Sequence, residues 1–350
     1  MAVTANFLTL EFTVNKSVTV EGSVRVDLLG GTLDLVPINL ILSNVITLNL
    51  ATSLKAKVTI TAIDFDGVEI VSKDYNSTDK FNSRDFNREN IRKLFFGNLT
   101  FIAHILTLFE LTKGVRMELE SGSPPGAGLG GSSAMGVTCY AAISKYLGLK
   151  YDRIEAIQKI NSIESMIIDC PAGYQDYYPA LFGGVLGLIP SLGSVKVEQL
   201  YSEELKSILE KNITLVYSGE TRNSGINNWE VYKAFFNKEV HVRAGLEEIA
   251  KLSHKAYTAI IEKNYEALIP LIAAEGEERR KLFPGILTQN MSQLHMVLKE
   301  QSAHFGMKIC GAGGGGCFLI THKPQDREYL DQLLEKFQMK RLPFNVERPL

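Results

Sequence analysis

Cysteine and histidine are scarce. The four cysteines, Cys139, Cys170, Cys310 and Cys317, form no CxxC pair, and only six histidines accompany them. This excludes a thiolate metal cluster or a disulfide framework and leaves reduced thiols in a cytoplasmic protein as the plain reading. Net charge is nearly absent at -2. A general affinity for nucleic acid or anionic membrane therefore has no electrostatic basis, although a locally basic pocket is compatible with it. Long apolar runs are missing too. The stretch VPINLILSNVITLNLA is interrupted by Asn, Ser and Thr, so no membrane span is expected. The start MAVTANFLTLEFTVNKS lacks the basic opening and continuous apolar core of a signal peptide. No internal repeat or low-complexity tract occurs. What remains is a globular composition, 45% hydrophobic and 22% charged over 350 residues, enough for two domains or one large one.

Along the chain, period-two stretches (FLTLEFTV, SVTVEGSVRVDL, KVTITAIDF) predict strands of a largely antiparallel sheet in the first 60 or so residues. The polar segment 73–88 reads as a surface loop. Helical spacing over 89–110 predicts an amphipathic helix broken near Gly97. VRMELE at 115–120 reads as a strand, 131–147 and 151–168 as helices, and 180–190 as a buried turn and strand. A change of character near 190–210 suggests a domain boundary. Beyond it come a strand at 213–219, a helical region from 225 to about 304, and strand, glycine loop and strand at 308–320. A helix over 326–337 and a strand near 343–347 close the chain. Strands early, helices in the middle and a mixed remainder give an α+β class.

Two glycine-rich segments carry the chemistry. SGSPPGAGLGGSSAM at 121–135 places five glycines and two prolines directly before a helix. It is either a flexible connection or a phosphate cradle, since glycines let a ligand reach the backbone and the helix start offers unpaired N–H groups. Leu129 amid the glycines and the immediate helix start favour the cradle. Ser132 and Ser133 could cap the helix, or one could reach a phosphate-bound metal. No Lys follows, so the segment is not a P-loop. Gly126, Gly128 and Gly131 have the spacing of a dinucleotide fingerprint, but no acidic residue ends a strand some 20 residues on. The second segment, GAGGGGC at 311–317, is either a generous turn or a place where a ligand or another backbone comes close.

RVDLLGGTLD at 25–34, PPGAGLGGSSA at 124–134 and KICGAGGGGC at 308–317 together resemble, in order and place, the three motifs of the GHMP kinase family. Within it the chain is most similar to the sugar-kinase branch, which includes heptose 7-phosphate kinases, galactokinases and fucokinase-like proteins. RVDLLGGTLD resembles that branch's R-[IV]-D-[LF]-x-G-G-x-x-D, and GYQDYYPALFGG at 173–184 resembles its G-x-Q-D-Q-Y-x-x-x-F-G-G. The resemblance implies an N-terminal mixed or antiparallel sheet domain with helices (ribosomal protein S5 domain 2-like) over 1–195. A ferredoxin-like α+β domain over 196–350, carrying the glycine loop 311–316, would follow.

The implied activity is transfer of the γ-phosphoryl of ATP, with Mg²⁺, to a hydroxyl of a sugar or sugar phosphate, at the anomeric position. The alternatives are a mevalonate- or homoserine-type kinase of the same fold and a catalytically silent ATP- or sugar-binding member. The resemblance assigns Pro125, Gly126, Ala127, Gly128, Leu129, Gly130, Gly131, Ser132 and Ser133 to ATP. It assigns the metal to Ser132, with Ser133 one position off, and to Glu164, twelve residues before Asp176. By themselves these are a helix cap and a solvated helix residue. Asp176 matches the catalytic aspartate that accepts or orients the acceptor proton, and Arg25 the arginine paired with it. Asp34, Gly30, Gly31, Gln175, Gly313 and Gly314 are expected at the acceptor, with Arg222 either a ligand of a substrate phosphate or a plain loop arginine. Tyr177 departs from the branch's Gln, and Tyr174 from a Lys frequent in heptose-phosphate kinases. Gly31 and Thr32 stand where galactokinases carry Glu-His, which argues against galactose. A small-molecule substrate is the expected partner, and the resemblance is compatible with a homodimer.

Overall fold

The computed structural model describes residues 17–220 and 224–350. The expected strand FLTLEFTV and Arg222 lie outside them. The described chain starts with β1 (Ser17–Leu29), a short α1 (Ile38–Ile41) and the long β2 (Thr47–Ala62). The hairpin β3 (Gly67–Ser72) and β4 (Ser77–Asn82) follows, then α2 (Arg88–Arg92), α3 (Thr100–Leu108) and β5 (Val115–Glu120). Next come α4 (Gly131–Tyr146), α5 (Arg153–Ile168), α6 (Tyr178–Phe182), β6 (Val185–Ser191) and β7 (Ser194–Gln199). The second half runs α7 (Glu203–Asn212), β8 (Ile213–Tyr217), α8 (Ser224–Phe236), α9 (Val240–Ile261), α10 (Leu268–Lys281) and α11 (Gln289–Gln301). It closes with β9 (Gly306–Ile309), β10 (Cys317–Thr321), α12 (Arg327–Lys336) and β11 (Lys340–Arg341).

The first sheet has the order β4-β3-β5-β2-β6-β7, with β1 also paired to β2. It is mixed, because β3 runs parallel to β5 while its other pairs are antiparallel. Alternating β-branched residues in SVTVEGSVRVDLL favour the extended pairing of β1 along β2. A register irregularity lies between Ser23 and Arg25, after which β1 stays paired to β2, with Arg25 opposite Ala51. The second sheet, β11-β8-β10-β9, is wholly antiparallel. Its helix-separated order is the ferredoxin-like arrangement expected for the C-terminal half.

Three expectations are corrected. Segment 73–88 is not only loop, because Ser77–Asn82 forms the edge strand β4. Its residues alternate between half-buried and exposed, with neither face fully covered, so no apolar alternation marks it. The strand expected at 343–347 is replaced by β11 at Lys340–Arg341 and a single bridge from Val346 to Thr52. Pro343, with no N–H to donate, stands between the two. The division expected at 195 falls inside β7, and sheet membership changes only between Gln199 and Ile213. The two halves also share their cores. Leu33 and Leu35 from the loop after β1, and Ile38 of α1, pack with Val216, Ile249 and Phe318 of the second sheet and its helices. That segment thus spans the junction between the two sheets.

Candidate active site

The first glycine loop, between β5 and α4, is anchored from beneath. Leu129 and Ala127 are buried, and Gly126, Gly128 and Gly130 take positive φ of 68°, 74° and 69°. Such a path is open to glycine at little cost. α4 begins with left-handed Gly130 as its N-cap and no side-chain cap bond, which leaves its first N–H groups for a ligand. The second glycine loop braces the first. A Cβ on Gly316 would come within 2.8 Å of the carbonyl oxygens of Gly126 and Ala127, and the Cys317 N–H donates to Ala127 O at 2.6 Å. The close approach that four successive glycines imply is thus backbone against backbone.

Arg25 and Asp176 meet against this loop. Arg25 Nε donates to Asp176 Oδ1 at 2.7 Å, and its Nη1 donates to Gly128 O at 2.5 Å and Cys310 O at 2.6 Å. One guanidinium so ties the candidate base to both glycine segments. Burial works against its charge, but Asp176 and Asp27 outweigh burial and raise the Arg25 pKa. A Cβ on Gly130 would lie 3.0 Å from Asp176 Cβ and 3.3 Å from Arg25 Cγ, so the loop backbone packs directly on the pair.

Glu164, on α5, stands beside the start of α4. Its Oε2 accepts from Ser133 Oγ at 2.7 Å and from the Tyr177 hydroxyl at 2.7 Å. Burial raises its pKa, while the hydroxyls of Tyr177, Ser133 and Ser132 hold the rise back. Ser133 is buried and Ser132 exposed, so the two serines differ in freedom although both neighbour Glu164. A carboxylate and two hydroxyls form a hard oxygen set of the kind Mg²⁺ accepts, so these residues fit that ion.

A pocket opens on the other side of Asp176, lined by Asp27, Gly31, Asp34, Gln175 and Ala312 among others. Asp34 Oδ2 accepts from the Gln175 N–H at 3.0 Å. Burial first, and then the nearby Asp176 charge, push the Asp34 pKa up to about 7. Gln175 Oε1 and Asp27 Oδ1 are buried with no hydrogen-bond partner. Of the residues expected at the acceptor, Gly31, Asp34 and Gln175 line the pocket. Gly30 does not: it has φ 82° and packs on the Ile46 carbonyl. Gly313 and Gly314 also face elsewhere, with the Gly314 N–H donating to Ile286 O at 3.0 Å. Gly311 and Ala312 take their place, because the loop turns away immediately after Ala312.

Behind the pocket lies a charge network absent from the sequence reading. Lys308 Nζ donates to Asp27 Oδ2 at 2.8 Å and lies 3.6 Å from Glu275 Oε2. Arg279 Nε donates to Glu275 Oε1 at 3.0 Å. All four side chains are buried, and two cations against two anions leave no net charge. Burial would push the Asp27 pKa up, yet Lys308, Arg279 and Arg25 bring it below the usual carboxylate range. In the sequence, Glu275 and Arg279 fell within the helical region expected from 225 to about 304, and Lys308 at the start of a strand. Asp27 left one signal, standing two residues after Arg25 and so on the same face of β1.

Comparison with known proteins finds one family model and several kinases. Residues 98–184 match the family model described as GHMP kinases N terminal domain. A mevalonate kinase of Saccharolobus solfataricus is 29% identical over 233 residues, covering 66% of this chain and 69% of that protein. An L-fucokinase/L-fucose-1-P guanylyltransferase of Bacteroides fragilis is 28% identical over 218 residues, 61% of this chain but only 23% of that protein. The crystal structure of a D-glycero-D-manno-heptose 1-phosphate kinase from Bacteriodes thetaiotaomicron shares the fold with a TM-score of 0.71 at 19% identity, over 95% of this chain and 96% of that one. The family match is thus confined to residues 98–184, and the fold is the one shared with that solved kinase.

Proposed function

We propose that this GHMP-family chain is an ATP-dependent small-molecule kinase that phosphorylates a hydroxyl of a sugar or sugar phosphate, the anomeric one. The observation that carries the substrate class is the polarity of the pocket. Asp34, Asp176, the unpartnered Asp27 Oδ1 and the unpartnered Gln175 Oε1 are acceptors, which suit the many O–H donors of a polyol. The two arginines that line it are already engaged, Arg25 with Asp176 and two carbonyls, Arg279 with Glu275, Thr32 and Gly31. A carboxylate substrate would find no uncommitted cation among the described lining residues. A phosphate substituent would need one too, and we assign Arg222 to that part.

In this reading Asp176 orients the acceptor hydroxyl and takes its proton, with Arg25 holding the carboxylate in place. The glycine-loop backbone and the start of α4 receive the phosphates of ATP. Glu164, Ser132 and Ser133 would hold Mg²⁺, which neutralises phosphate charge when bound. The fold and family support the ATP part of this reading, and the names of several relatives support a second one, a mevalonate kinase. An ADP-release screen over hexoses, heptoses, heptose 7-phosphate, mevalonate and homoserine separates the two. Turnover with a sugar is expected. Turnover with mevalonate alone would overturn the substrate class, and ATP binding without turnover on any acceptor would favour a silent member of the fold. No helix among the described residues is long and apolar enough to cross a membrane.

A further inference from the structure

Thr32 has φ 69°. A β-branched residue seldom enters that left-handed region, because its Cβ substituents crowd the backbone, so something must hold it there. The holder is Arg279, at the end of α10. Its Nη2 donates to Gly31 O at 2.7 Å and its Nη1 donates to Thr32 Oγ1 at 3.0 Å, so one planar group grips the residue by backbone and side chain together. Arg279 is itself fixed by Glu275 on its own helix and by Asp27, 3.8 Å away on β1, and is only 2% exposed.

The grip also sets a polarity. A guanidinium has donors and no acceptor, so Thr32 Oγ1 must accept from it, and the single hydroxyl hydrogen points elsewhere. It is donated to Asn228 Oδ1 at 3.5 Å, the outer limit of a hydrogen bond and a weak one for a substrate oxygen to displace. Thr32 and Asn228 both line the pocket. In a wall made mostly of acceptors, the Thr32 O–H is a committed donor.

We infer that Arg279 is a positioning residue for acceptor recognition, holding Thr32 left-handed with its hydroxyl as a hydrogen-bond donor to one oxygen of the acceptor substrate. The chemical class it selects is a molecule that combines several O–H donors, for the carboxylates, with one well-placed acceptor oxygen, such as a ring or hydroxyl oxygen of a polyol. The kinetic part of this inference rests on the proposed kinase reading. The conformational part does not.

The test uses Arg279→Lys, Thr32→Val and Thr32→Ser in the full chain. With an acceptor found by the screen, Arg279→Lys and Thr32→Val are expected to raise the acceptor KM roughly tenfold, the loss of about one hydrogen bond. The KM for ATP and kcat stay within about twofold, and Thr32→Ser stays near the parent protein. Equal losses for ATP and acceptor, or Thr32→Val behaving like Thr32→Ser, would overturn the inference by reducing Arg279 to a structural part. A crystal structure of Arg279→Lys provides the readout that needs no turnover. Thr32 is expected to relax to negative φ, and its persistence at positive φ would equally overturn the proposal. If no acceptor turns over but Thr32 relaxes as expected, the kinase reading fails while the positioning role stands.

Discussion

Arg25 Nε lies 2.7 Å from Asp176 Oδ1, joining the first strand to a turn 151 residues later in the chain. The same guanidinium holds carbonyls of both glycine segments, so the proton acceptor and the nucleotide cradle share one support. Asp176→Asn keeps an acceptor oxygen for Arg25 and removes the basic group. Turnover is expected to fall by a factor on the order of 10²–10⁴, with nucleotide affinity nearly unchanged. Arg25→Lys cannot reach three acceptors with one ammonium, so it is expected to lower kcat and also raise the KM for ATP. Steady-state kinetics beside nucleotide titration check both.

Tyr177 supplies one of the two hydroxyls recorded on Glu164 Oε2, the other being that of Ser133. Tyr177→Phe preserves a fully buried ring and deletes one donor. Divalent-ion affinity of the nucleotide complex is expected to drop several-fold, with a stability loss of about 1 kcal/mol. Mn²⁺ binding followed by electron paramagnetic resonance reads the first and thermal unfolding the second. Ser133→Ala should cost both affinity and stability, because Ser133 is buried and bonded. Ser132→Ala, at an exposed hydroxyl, should cost affinity alone.

Asp34 gives the stability a pH dependence. Its folded pKa of about 7 lies above the ordinary carboxylate value of 3.8, so the folded state binds a proton that the unfolded state releases. The contribution is fully present below the unfolded value and is lost as pH rises through about 7, amounting to up to about 4 kcal/mol over the roughly 3-unit gap. Asp34→Asn removes that slope. Its stability advantage over the parent protein is expected to grow by ~2 kcal/mol from about pH 5.5 to about pH 8, measured by denaturant unfolding. An advantage that stays constant with pH would show that Asp34 titrates normally.

Gly316 has φ 78° and packs on two carbonyls of the first glycine loop. Gly316→Ala meets both a strained backbone and a contact that only backbone atoms could relieve. A stability loss of about 1–3 kcal/mol is expected, together with a raised KM for ATP as the cradle shifts. Gly193→Ala is the control. It also sits at positive φ but has nothing within 4 Å, so it should lower stability without changing the KM.

Much of this was legible beforehand. The alternation of β1 and β2, the helices of 131–168 and the strand–glycine–strand hairpin were local patterns. So was the anchoring Leu129 inside the first glycine loop. What escaped had no local mark. β4 is a polar edge strand, Gly30, Gly313 and Gly314 turn away from the pocket, and the Tyr177 hydroxyl finds Glu164 only because α5 folds back beside it.

The sequence by itself determined that the chain is an α+β protein with two glycine-rich loops and a GHMP-like set of polar residues, because glycine spacing and apolar period are properties of neighbouring residues. Which charges are buried, and against what, was decided by the tertiary structure alone. Asp27, Glu275, Arg279 and Lys308 come from β1, α10 and β9 and read as ordinary surface charges in one dimension. Only packing α10 and the second sheet onto the loop after β1 removes them from water, and burial without water is what obliges them to pair.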